Sequence, residues 1–142
     1  MSLFSTLRIS QSGLTASRLW LDTISSNIAN ANTTRTSEGG PYRRLDVLLT
    51  PSSENGFSSL LGGASDSPGN GVQVAAIVKD GGTPRMVYNP NHPDANVNGY
   101  VAMPNINIVT EMVNMVAAQR AYEANVTIMN SAKSMAMKSL EI

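Results

Sequence analysis

The chain has 142 residues, and its ten Lys plus Arg balance ten Asp plus Glu, so it has no net field to attract nucleic acid or acidic lipid. Cysteine is absent, which excludes disulfides, thiolate catalysis and Cys-ligated zinc. Only 14% of the residues are charged, against roughly 25% in an average soluble protein, a deficit that points to partner-covered surface unless Ser, Asn, Thr and Gly supply the polarity.

From Leu3 to about Ala31 the pattern is helical. Leu7, Leu14, Leu21 and Ile28 recur every seven residues, the spacing of a helix–helix seam. Ser10 and Ser17 beside that stripe are small and suit close backbone approach, while Leu19 and Trp20 lie about 100 degrees or more away and predict a second buried face. Gly13 costs about 1 kcal/mol inside a helix, so a packing or kinking role is expected for it. Arg8, Arg18 and Asp22 break the stretch, which is therefore no secretory leader. No window approaches the ~18–20 apolar residues of a membrane span.

The helix runs into Ser25-Ser26-Asn27-Ile28-Ala29-Asn30-Ala31-Asn32-Thr33-Thr34, which is poor helix interior because Asn side chains compete for backbone groups. Two readings stand: a frayed helix end, or Asn27 and Asn30 on one face as buried amides that fix register against a partner. Beyond it, Arg43 to Thr50, Val72 to Lys79 and Arg85 to Tyr88 are rich in β-branched and aromatic residues. They are separated by Asn55-Gly56, Asn70-Gly71, Gly81-Gly82 and Asn98-Gly99, so a small β-element of two to four strands is expected. The Ser/Gly-rich stretch Ser52 to Gly71 predicts a mobile loop.

A second helix is predicted from Asn105 or Asn107, each a candidate N-cap after Pro104, to about Glu141. Its first half, including Ile108, Val109, Met112, Val113, Met115 and Val116, is apolar around most of its circumference, more than one partner helix can cover. Its second half narrows to a stripe of Tyr122, Val126, Met129, Ala136 and Leu140. Six of the eight methionines fall between Met103 and Met137, either as core filler or as side chains that adapt one helix to non-equivalent neighbours, and in both readings this helix is a packing surface. The expected fold is mainly α with a small β element: long terminal helices in an antiparallel, coiled-coil-like pair and a short β-rich middle. The divisions are 1–34, 35–103 with its loop at about 52–71, and 104–142.

Chemistry-bearing motifs are scarce. His92, in Asn89-Pro90-Asn91-His92-Pro93-Asp94, lacks both a nucleophile and ligand spacing, so neither catalysis nor a metal site is expected, and no cofactor. Asn32-Thr33-Thr34 and Asn125-Val126-Thr127 match the N-glycosylation triplet, a pattern common by chance.

The two ends together resemble the flagellar rod and hook family of axial proteins. The likeness lies in Ser12-Gly13-Leu14-Thr15-Ala16 and Ser26-Asn27-Ile28-Ala29-Asn30-Ala31-Asn32-Thr33 at one end. At the other it lies in Glu111-Met112-Val113, Arg120-Ala121-Tyr122-Glu123-Ala124-Asn125, Lys133-Ser134-Met135 and Leu140-Glu141-Ile142. Between them, Pro41-Tyr42-Arg43-Arg44, Pro90, His92-Pro93-Asp94-Ala95 and Gly99-Tyr100-Val101-Ala102-Met103-Pro104-Asn105 resemble the family's proximal-rod members.

The resemblance implies a non-enzymatic subunit of the basal-body rod, built by helix packing into an axial shaft that transmits torque. It implies export through the flagellar type III apparatus without a cleaved leader, and a place in the rod across the periplasm. Expected partners are other rod subunits including copies of itself, ring and adaptor proteins and the export apparatus, with no nucleic acid and no membrane insertion. The residues expected to carry subunit packing are Leu7, Leu14, Leu21, Ile28, Asn27, Asn30, Ile108, Met112, Met115, Tyr122, Asn125, Val126 and Met129. Alternatives are another axial subunit of the rod or hook type, a soluble helical adaptor, and, least supported, an enzyme centred on His92 and Asp94. The free subunit is expected to have chain ends that order on assembly.

Overall fold

The computed structural model describes residues 3–52 and 71–140. In chain order the elements are α1 (Leu3–Ala29), β1 (Leu45–Pro51), β2 (Val72–Lys79), β3 (Arg85–Tyr88), β4 (Tyr100–Met103) and α2 (Ile108–Leu140). The mobile loop predicted for about 52–71 lies outside the described residues except at its two ends, where Ser52 N–H donates to the Gly71 carbonyl at 3.0 Å.

Helices α1 and α2, of 27 and 33 residues, pack on each other along their length and measure about 40 and 50 Å at 1.5 Å per residue. The Asn-rich segment ends α1. The Asn30 side-chain amide donates to the Ser26 carbonyl at 3.0 Å, while the Ala31 and Thr33 amides close tight turns onto Ile28 and Asn30. At the start of α2, Asn107 is the N-cap: its Oδ1 accepts the amides of Val109 at 3.0 Å and Thr110 at 3.3 Å.

Two antiparallel ribbons form the middle of the chain, β1 with β2 and β3 with β4. The first carries an irregularity between Leu48 and Leu49, and it packs on α1. Strand β1 starts at Leu45 rather than Arg43, because the Arg44 side chain turns to α2 and Leu45 offers its backbone to α1. Strand β4 was not expected as a strand. It has only four residues, and it holds its place by pairing Tyr100 with Tyr88, whose rings meet edge-on at 5.3 Å. Gly99 ahead of it has φ +78°, and a Cβ there would lie 2.8 Å from the Tyr88 ring, so this turn needs glycine.

The helix seam is built on two interleaved seven-residue series from each helix. On α1 and just beyond it, Ser10, Ser17, Ile24 and Ala31 are all buried, alternating with Gly13, Trp20 and Asn27. On α2, Glu111, Ala118 and Ala132 are buried, with Asn125 between them, and they alternate with Met115, Tyr122, Met129 and Ala136. The fully buried positions of the seam are thus mostly small or polar, with Ile24 the large apolar exception. The Leu7, Leu14, Leu21 and Ile28 stripe is half-buried on its flank. The second face expected from Leu19 exists: Leu19 borders a groove with Val72 and Val74 of β2, whereas Trp20 belongs to the seam.

Candidate assembly site

At one end of the helix pair a polar node joins all three parts of the chain. The Asn27 side chain is 0% exposed, and every hydrogen-bonding capacity of its carboxamide is filled. Its Nδ2 donates to the Leu45 carbonyl at 2.8 Å and to Glu111 Oε2 at 3.1 Å. Its Oδ1 accepts the Leu45 N–H at 2.9 Å and the Tyr42 hydroxyl at 3.2 Å. The amide therefore stands beside β1 as a further strand would, a role that a hydroxyl or a carboxylate cannot fill.

Glu111 is 1% exposed, and a lone carboxylate there would be costly. Arg44 Nε donates to Glu111 Oε1 at 2.8 Å, and a second guanidinium nitrogen lies 3.2 Å from Asp46. Partial burial pulls the Arg44 pKa down, but the hydrogen bonds to Glu111 and Asp46 outweigh it and hold the pKa above its ordinary value. The guanidinium is therefore charged at every pH at which the protein folds.

The opposite face of α2 has the reverse character. Ile108, Val109, Met112, Val113 and Val116 are 39–69% exposed. From Ile108 to Gln119 the only charged residue is Glu111, which is turned inward, so these first turns present an outward surface with no ionised group. Apolar side chains are also exposed on β1 and β2 at Leu48, Leu49, Ile77 and Val78, and further along α2 at Ile128, Met135 and Met137.

The residues expected to carry packing divide between two surfaces. Met115, Tyr122, Asn125, Val126 and Met129 are half-buried, as is the stripe Leu7, Leu14, Leu21 and Ile28. Met112 is exposed on the outward face, whereas Ile108, one heptad before Met115, sits partly exposed at the edge of the seam beside Ala31 and Asn32. Leu140 is exposed although it continues the predicted stripe, because the antiparallel register carries the last residues of α2 past the start of α1. Asn27 and Asn30, grouped together by spacing, separate. Asn27 is the buried amide, and Asn30 caps its own helix and accepts the Thr33 hydroxyl at 3.1 Å. Sequence reasoning missed Glu111, Arg44 and Tyr42 as members of a node. The available signal was a single acid inside a run of apolar residues.

The His92–Asp94 pair has a local role. His92 Nδ1 accepts the Asp94 backbone N–H at 3.0 Å, and Asp94 receives the Thr34 hydroxyl at 2.7 Å and pairs with Arg35. The Thr34 hydrogen bond is the main reason that the Asp94 pKa lies below its ordinary value; burial opposes it, and the charges of Arg35 and His92 add to it. This cluster fastens the exit of the Asn-rich segment to the turn before β4. No group of three or more His, Asp or Glu able to hold a metal occurs among the described residues, and no helix there is long and apolar enough to cross a membrane.

A hairpin of two long helices, with a satisfied polar node inside and a charge-free apolar face outside, defines a packing subunit of a larger assembly. Comparison with known proteins agrees. Residues 7–35 match the model of the flagella basal body rod protein family, and residues 97–142 match that of the flagellar basal body rod FlgEFG protein C-terminal region. The chain is 47% identical to the flagellar basal-body rod protein FlgC of Bacillus subtilis, covering all of this chain and 99% of that protein. It is 45% identical to FlgC of Borreliella burgdorferi and 35% identical to FlgC of Salmonella typhimurium, in each case over all of this chain and 98% of the relative. The chain belongs to the FlgC family of flagellar basal-body rod proteins, structural subunits rather than enzymes. Membership implies assembly with other rod subunits.

Proposed function

We propose that this chain is a proximal-rod subunit whose terminal helices form the inner core of the shaft while residues 35–103 face outward. The three-part division at 34 and 103 follows from that arrangement. The subunit leaves the cell through the flagellar type III export apparatus and takes its place in the rod across the periplasm. There it contacts copies of itself, other rod proteins and the ring and adaptor proteins beneath, and passes torque toward the hook.

The observation that best supports this reading is the outward face of α2. Apolar side chains at Ile108, Val109, Met112, Val113 and Val116 are exposed beside a seam that is already closed. Burial of apolar area yields about 25 cal/mol per Å², so a face of this kind is stabilised by neighbours rather than by water. The seam residues Leu7, Leu14, Leu21, Ile28, Asn27, Met115, Tyr122, Asn125, Val126 and Met129 shape the hairpin, Asn30 closes the end of α1, and Ile108 and Met112 carry contact between subunits.

The test is complementation of a strain lacking this gene, scored by swimming and by isolation of basal bodies. Wild type restores rods. Val113→Asp folds as wild type by circular dichroism but restores neither rods nor swimming. Swimming by the null strain with intact rods would sink the reading altogether. Full rescue by Val113→Asp would remove this face of α2 from the contacts.

A further inference from the structure

The buried node has a consequence beyond assembly. We propose that seating of β1 licenses the pairing of α1 with α2: the helices hold their register only when the outer segment has delivered Arg44 and Leu45 to Asn27 and Glu111.

Apart from the Gly13–Asn125 contact, the small side chains of the seam specify register weakly. Its centre on α2 repeats as Glu111, Ala118, Asn125, Ala132, so a slip of two heptads replaces one buried alanine by another. Small, smooth side chains do not discriminate between such alignments, whereas a single buried polar pair does. The node supplies that pair. Of the four hydrogen bonds on the Asn27 carboxamide, three come from Tyr42 and Leu45 of the outer segment and only one from α2.

Charge acts in the same direction. Pairing α2 with α1 takes the Glu111 carboxylate out of water, and the Asn27 amide alone does not compensate an ion. The compensating cation is Arg44, immediately before β1. Before the outer segment docks, the paired state therefore buries an uncompensated charge and three unfilled hydrogen-bonding positions on Asn27. After it docks, all are satisfied, and no buried side-chain nitrogen or oxygen among the described residues lacks a partner. The effect is reciprocal: α2 holds β1 as much as β1 holds α2.

Hydrogen exchange on the full-length isolated chain reads this directly. Arg44→Met should lower the protection of the α2 amides of residues 112–118 at least about tenfold, although Arg44 lies outside that helix. Adding Glu111→Gln, which removes the charge but keeps an acceptor for Asn27, should restore most of that protection. Glu111→Ala should in turn expose the Leu45 amide, whose acceptor is Asn27. The proposal is overturned if Arg44→Met leaves residues 112–118 at their wild-type rates. It is equally overturned if the double variant is no better than the single one, since the loss would then come from packing of the arginine stem. Free exchange of residues 112–118 in the wild-type chain would also end it.

Discussion

A Cβ placed on Gly13 would lie 2.8 Å from Nδ2 of Asn125, so the glycine in α1 is the socket for an amide from α2. This contact stands two heptads from the Asn27–Glu111 bond on both helices, in opposite directions, and the two together define the antiparallel register. Gly13→Ala should therefore destabilise the protein by about 1 kcal/mol, despite a helix-propensity gain of about the same size. In an Asn125→Ala background the same change should stabilise by about 0.5–1 kcal/mol. Denaturant melts of the four chains check this, and an unchanged sign in the second background would refute the socket.

Ala118 is fully buried, and its neighbour Ala117 is exposed. Ala118→Leu should cost about 1–3 kcal/mol by overpacking the seam, while Ala117→Leu should leave the stability of the free chain within about 0.5 kcal/mol. Thermal unfolding of the two variants separates them. Equal effects would mean that the helices approach less closely than the small seam residues require.

Asp94 ties Thr34 and Arg35 to the turn before β4, and its pKa lies below the ordinary carboxylate value, chiefly through the Thr34 hydrogen bond. A depressed carboxylate contributes its full stabilisation above its unfolded pKa, and loses it as pH falls through the folded value. The turn at residues 92–99 should therefore stay protected down to about pH 4 and loosen below it. Asp94→Asn should loosen it at every pH. NMR or hydrogen exchange between pH 7 and pH 3 follows this, and a turn as well protected in Asp94→Asn as in the wild type would refute it.

The free subunit should show graded hydrogen exchange, with greatest protection around Asn27 and Glu111 and least at the opposite end of the hairpin, where the start of α1 meets the last turns of α2. The far end closes on small side chains such as Ala132 and Ala136, and Phe4 and Leu140 are exposed there. Assembly should then raise protection most at that end. Strong protection of both chain ends in the isolated subunit would contradict this.

Much of the fold was legible in the sequence because periodicity is local. The seven-residue spacing located α1 and the apolar run after Pro104 located α2, where Asn107, one of two candidate caps, is the side chain that accepts from the first turn. The leucine stripe was misplaced by part of a turn. Leucines are the conspicuous apolar residues, but the fully buried line runs through Ser10, Ser17 and Ile24, and the half-buried leucines flank it. The node was hidden for a different reason. Asn27, Arg44 and Glu111 are far apart in the chain, and nothing local in each residue states which distant group completes its hydrogen bonds. Strand β4 was equally hidden, since only Tyr100 and Val101 of its four residues favour a strand and Pro104 follows directly.

The absence of an ionised group on the outward side of the first turns of α2 has a bearing on the medium. Contacts between exposed charges weaken as dissolved ions shorten the Debye length, from about 30 Å at 0.01 M to about 3 Å at 1 M. A joint made by valines, isoleucine and methionine has no such field to screen. It keeps its strength in fresh water and in brine, and it responds to temperature instead, loosening as the water cools.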